Sequence, residues 1–120
     1  YTDARSPKET QIKAQPQAAL VAWCPALQWQ LRLRLHVSIE TDGLAVSSRW
    51  AQLRLRPQAQ DYLSPLPPGA PLAGGEAVRD MRGHFALLRA RVRQLDWLGL
   101  RADGHRRALF DATGARWLNP

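Results

Sequence analysis

Residues 76–97 read EAVRDMRGHFALLRARVRQLDW, and the fold of this 120-residue chain turns on them. Val78, Met81, Phe85, Leu88, Val92 and Leu95 recur at steps of three and four, the spacing of one apolar face of an amphipathic helix. The inner run Leu88-Arg89-Ala90-Arg91-Val92-Arg93 also alternates apolar with charged, the period of a strand. Length, the many Ala, Leu, Arg and Gln residues and the absence of a β-branched run favour the helix. Glu76 opens it where a negative charge suits the dipole. Gly83 costs it about 1 kcal/mol relative to Ala, and Gly99 supplies a stop. The expectation is a helix over 76–97, with a strand as the alternative.

The flanking sequence supplies a sheet for that helix. Leu27, Trp29, Leu31, Leu33, Leu35, Val37 and Ile39 alternate with Gln28, Gln30, Arg32, Arg34, His36, Ser38 and Glu40, which predicts a half-buried strand. Thr41-Asp42-Gly43 is a turn signal. Leu44–Arg56 is expected to return as a second strand, with a phase slip near Trp50-Ala51 read as a bulge. The Pro- and Gly-rich residues 57–75 predict a long irregular loop. Asp103-Gly104 and Asp111–Gly114 mark turns between short closing strands. Ser6-Pro7-Lys8-Glu9 starts a short helix that Pro16 interrupts, and 17–23 is expected to resume it. The expected organisation is an N-terminal tail or short helix over 1–26 and a single domain over 27–120. Its class is α+β, a small antiparallel sheet with one main amphipathic helix, the alternative being an all-β sandwich or barrel.

Composition points to binding rather than chemistry. Seventeen basic against ten acidic residues give +7, which favours anionic partners. Fifteen of the bases are Arg, the side chain suited to planar recognition of phosphate or carboxylate. The lone Cys24 permits no internal disulfide and sits between Trp23 and Pro25 as a small hydrophobe. His36, His84 and His105 lack metal-ligand spacing. Asp42, Asp103 and Asp111 read as turn formers, Ser47-Ser48 is no nucleophile elbow, and Gly69, Gly74 and Gly75 lack the G-K-[ST] of a phosphate loop. No catalytic residue, metal site or cofactor is therefore expected, and the chain is read as a non-enzyme. The candidate contacts for an anionic partner are Arg32 and Arg34 on the strand and Arg79, Arg82, Arg89 and Arg93 along the helix. No apolar run is long enough to cross a membrane. A chain opening at Tyr1 rather than Met is expected to have been processed or cut from a longer protein, leaving room for a signal peptide or anchor upstream.

Arg82-Gly83-His84-Phe85, followed by Leu87, Leu88, Leu95, Leu98 and Leu100, resembles the glycine–aromatic–leucine helix of PilO/GspM-type proteins. The resemblance covers about a sixth of the chain. It implies a ferredoxin-like periplasmic domain and an assembly role in type IV pili or type II secretion machines. The expected function is then a non-catalytic interaction or assembly module of the bacterial cell envelope, pilot- or scaffold-like. Its partner would be another subunit or a second copy. A periplasmic or membrane-associated location follows, with membrane contact only through a segment outside this chain. The alternative is a basic, cytoplasmic nucleic-acid-binding domain using the Arg-rich sheet or helix face.

Overall fold

Pro16 separates two kinds of local structure. Before it, Ser6 and Pro7 open helix α1 (Pro7–Ala14), with proline at the first turn, where its missing N–H costs nothing. Glu9 turns to Lys13 one helical turn on and forms an ion pair there, leaving no side-chain cap. After it, the chain is extended. Strand β2 (Gln17–Cys24) pairs antiparallel with β3 (Trp29–Glu40), from Gln17 opposite His36 to Cys24 opposite Trp29. Gln28, at φ 53°, closes the hairpin, and its side-chain amide donates to the Pro25 carbonyl at 2.8 Å. The expected resumption of helix over 17–23 is thus corrected. Leu20, Val21 and Trp23 are fit for a ladder beside β3, and tertiary pairing outweighs weak helix propensity.

The computed structural model describes residues 1–71 and 83–120. Its strands, with β1 (Thr2–Asp3), β4 (Phe85–Gly99), β5 (Arg106–Asp111) and β6 (Gly114–Leu118), form an antiparallel sheet in the order β2-β3-β4-β5-β6, with β1 paired to β4. The turns at Asp103-Gly104 and at Asp111–Gly114 join these strands, with Gly104 and Gly114 both at φ 122°.

Two expectations fail for opposite reasons. The residues 85–97 of the expected helix lie in β4; 76–82 fall outside the described residues. The three-and-four spacing is real, but on a strand its members split by parity. Phe85 is buried, whereas Val92 is exposed. Conversely, the expected strand over 44–56 is mostly helix α2 (Gly43–Leu53). Val46, Trp50 and Leu53 stand four and three apart on its inner face, while Leu44 and Leu55 point outward. The supposed bulge at Trp50-Ala51 was a 3.6-residue period seen through a two-residue template. Pro57–Tyr62, expected as irregular loop, forms a 3-10 helix with Ala59 buried. With the main helix gone, the α+β class and the ferredoxin-like order go too. The fold is mostly antiparallel strand.

The chain divides into two compact units, Tyr1–Gln15 with Ser38–Arg89, and Pro16–Val37 with Ala90–Pro120. In the first, Phe85 is the centre of an aromatic cluster. Tyr1, Trp50 and Tyr62 surround it with ring centroids 5.2–5.3 Å away. Val46, Leu53 and Ala59 complete that core. Asp3 is buried beneath it and takes a fork from Arg5, Nη2 to Oδ2 at 2.8 Å and Nε to Oδ1 at 3.1 Å. Arg5 also donates to the carbonyls of Ser64, Pro65 and Leu66, tying the loop down.

In the second unit, β4 pairs β5 with Trp97 opposite Ala108 and Leu98 opposite Arg107. β5 in turn pairs β6 with Ala108 opposite Trp117. One face is apolar by this alternation. Gly99 is required there: a Cβ on it would meet the Trp97 ring at 2.7 Å.

Candidate functional site

The polar face of the second unit gathers residues that lie far apart in sequence. Gln30 and Arg32, two apart on β3, share a face. Asp96 and Leu98 on β4 and Arg107 on β5 join them, and together with Pro120 they line a pocket of about 160 Å³. Arg107 donates to Asp96 through two bonds, Nε to Oδ1 at 3.0 Å and Nη2 to Oδ2 at 2.7 Å. That hydrogen bonding holds the Asp96 carboxyl below the usual carboxylate range, against the opposing effect of burial, and the Arg32 charge adds to it. Arg32 Nη2 donates to Gln30 Oε1 at 3.1 Å. The amide N–H groups of Gln30 and the other guanidinium N–H groups of Arg32 have no acceptor among the described residues. Such a wall of donors suits a planar ligand edge rich in carbonyl oxygens.

The opposite face of this unit holds an apolar cavity of about 640 Å³ lined chiefly by Trp29, Leu31, Leu95, Trp97, Phe110 and Trp117. Trp97 stands edge-on to Trp29 at 5.5 Å and to Trp117 at 6.3 Å. Its buried Nε1 has no hydrogen-bond partner among the described residues.

The first unit carries a second polar cluster, at the N-terminus of α1. Thr2 is buried, and its hydroxyl meets the Ser6 hydroxyl at 3.2 Å. Ser6 stands at the N-cap without capping its own helix. Lys8, in the first turn, is exposed and in no ion pair among the described residues.

Of the residues expected to meet an anion, Arg32 lies in the polar pocket. Arg34 is exposed one step along the same strand face. Arg89 is bound to Glu40 by two bonds, at 2.6 and 3.0 Å. Arg93 borders a shallow cavity with Gln94, Leu95 and Phe110. Arg79 and Arg82 lie outside the described residues. The helical stripe that would have joined Arg79, Arg82, Arg89 and Arg93 does not exist over the described part. On β4, Arg89 and Arg93 are roughly 13 Å apart along the strand. Sequence reasoning missed Gln30 and Asp96 as site residues, and its pairing of Arg106 with Arg107 gave no hint that Arg107 meets Asp96. Asp96 did carry a signal, because a lone carboxylate between Leu95 and Trp97 is out of place in a strand unless something pairs with it.

No family model matches the chain, and no curated protein matches its sequence. A solved structure does match. It is a pyridoxamine 5′-phosphate oxidase-related, FMN-binding protein from Nostoc punctiforme, with TM-score 0.79 and 24% identity over 99% of this chain and 71% of that one. This chain folds like an FMN-binding protein of that kind. At this identity the likeness establishes the fold alone. It overturns the PilO/GspM resemblance, whose ferredoxin-like domain has a different element order, and with it the envelope, secretion and pilus-assembly reading. Self-association, one of the expected partnerships, is consistent with this fold.

Proposed function

We propose that this chain binds flavin mononucleotide. The observation that supports it is the donor-rich pocket of Gln30, Arg32, Asp96 and Arg107, in a chain whose fold matches an FMN-binding protein. The flavin ring is planar, and its pyrimidine edge carries two carbonyl oxygens that accept hydrogen bonds. Gln30 and Arg32 offer the matching donors, and Leu98 and Pro120 offer apolar contact. A volume of about 160 Å³ takes an edge of the ring rather than the whole of it. Asp96 holds Arg107 in place by two bonds and so fixes one wall of the pocket. When bound, FMN supplies redox chemistry, and a redox function follows from this reading.

Flavin fluorescence titrations test it, with riboflavin as the ligand that lacks the phosphate. The chain is expected to bind FMN saturably. Gln30→Ala should weaken both FMN and riboflavin. No saturable binding of either flavin by the unaltered chain overturns the proposal, and so does a Gln30→Ala variant with unaltered affinity for both.

A further inference from the structure

We infer that Arg32 makes this chain prefer reduced, anionic flavin over oxidised flavin, an inference that rests on the flavin-binding reading. The observation is the charge pattern of the polar pocket. Arg32, Asp96 and Arg107 are the charged side chains that line it. Arg107 and Asp96 satisfy each other through two short bonds and leave little net charge between them. Arg32 is bound only to the neutral amide oxygen of Gln30 and forms no ion pair among the described residues. The pocket therefore carries one cation in excess, with N–H groups to spare. Leu98 and Pro120 complete the lining of the pocket.

The oxidised flavin ring is neutral. Two electrons and one proton convert it to a ring that is a monoanion at neutral pH, its charge spread over the pyrimidine portion. A pocket with one surplus cation binds that anion more tightly than the neutral ring. Unequal affinity for the two states raises the reduction potential of the bound flavin by the same ratio, as linkage requires. A tenfold preference is about 30 mV for a two-electron couple. Asp96 has a positioning part here, because it keeps Arg107 from acting as a second free cation.

The test measures the affinity of the full chain for oxidised FMN, and for FMN reduced by dithionite under anaerobic conditions, together with the reduction potential of the complex. The unaltered chain is expected to bind reduced FMN at least about tenfold more tightly. Arg32→Gln should abolish that preference, Arg32→Lys should keep most of it, and Asp96→Asn should increase it. Arg34→Gln, on the same strand face but outside the pocket, should leave it unchanged. Equal affinities for the two states in the unaltered chain overturn the inference while leaving flavin binding intact. So does an Arg32→Gln variant that weakens both states alike. Absence of binding to either state overturns the flavin reading itself.

Discussion

The two units bury their aromatic residues to very different extents. In the first, Phe85 is 2% exposed, because α2 and the 3-10 helix bring Trp50, Tyr62 and Ala59 onto it. In the second, the Trp-lined face of β3, β4, β5 and β6 leaves Trp29 40% and Trp117 72% exposed. Both regions show apolar residues at the correct strand parity. Alternation thus decides which side of a strand is apolar, but not how deeply that side is buried. Depth depends on what crosses the face, and in the first unit that is supplied by residues whose helical period is Val46, Trp50 and Leu53.

The largest effect that sharpens this contrast is at Phe85. Phe85→Ala removes the ring that Tyr1, Trp50 and Tyr62 all touch, and is expected to cost about 3–5 kcal/mol. Trp117→Ser, although it removes a larger ring, should cost much less in the isolated chain, because most of that ring stays in water. Urea denaturation of the two variants measures the difference. Equal losses would show that the two faces are equally buried in solution, and the contrast would collapse.

A second test uses Asp3, which anchors the first unit. Burial raises its carboxyl, but the hydrogen bonds and charge of Arg5 outweigh this and the net shift is downward. A carboxylate whose folded pKa is depressed contributes stability that is present above its unfolded value and is lost as pH falls through the folded one. Asp3→Asn should therefore destabilise the chain at neutral pH by about 1.5–3 kcal/mol, the worth of hydrogen bonds to a charged group. The gap between variant and parent should narrow below the usual carboxylate range. A gap independent of pH down to strong acid would show that the Asp3–Arg5 fork is not what holds the segment.

Much of the sheet was legible and most of the site was not. The alternation over 27–40, of which β3 takes Trp29–Glu40, the turns at 103–104 and 111–114, and the start of α1 at Ser6-Pro7 are local signals, and the structure places elements at each. The segments 17–23, 44–56 and 85–97 failed because each admits two periods, and the choice between them is made by neighbours distant in sequence. β4 is a strand because β3 and β5 flank it on both sides. The pocket was illegible for the same reason. Gln30, Asp96 and Arg107 meet only through strand registers that no spacing within the sequence encodes. Arg32 was named as an anion contact from its polar parity alone, while the residues that give it a pocket went unnoticed.

The smallest expected effect decides between the two readings of residues 85–97 most directly. On a helix, Arg89→Glu would face Arg93 at i,i+4 and gain slightly. On the strand, Arg89 instead grips Glu40 through two bonds, and the carboxylate hydrogen bonding raises the guanidinium pKa further. Arg89→Glu then sets two carboxylates against each other and should lower the melting temperature by a small, salt-sensitive amount, since both groups are near water. The double variant Arg89→Glu with Glu40→Arg restores the opposite-sign pair and should recover most of the loss. Arg91→Glu, two residues along and with no ion-pair partner among the described residues, should change stability least. A gain from Arg89→Glu that Glu40→Arg does not alter would sink the strand assignment and restore the helix. Loss followed by recovery is expected, because β3 and β4 are neighbouring strands of one sheet.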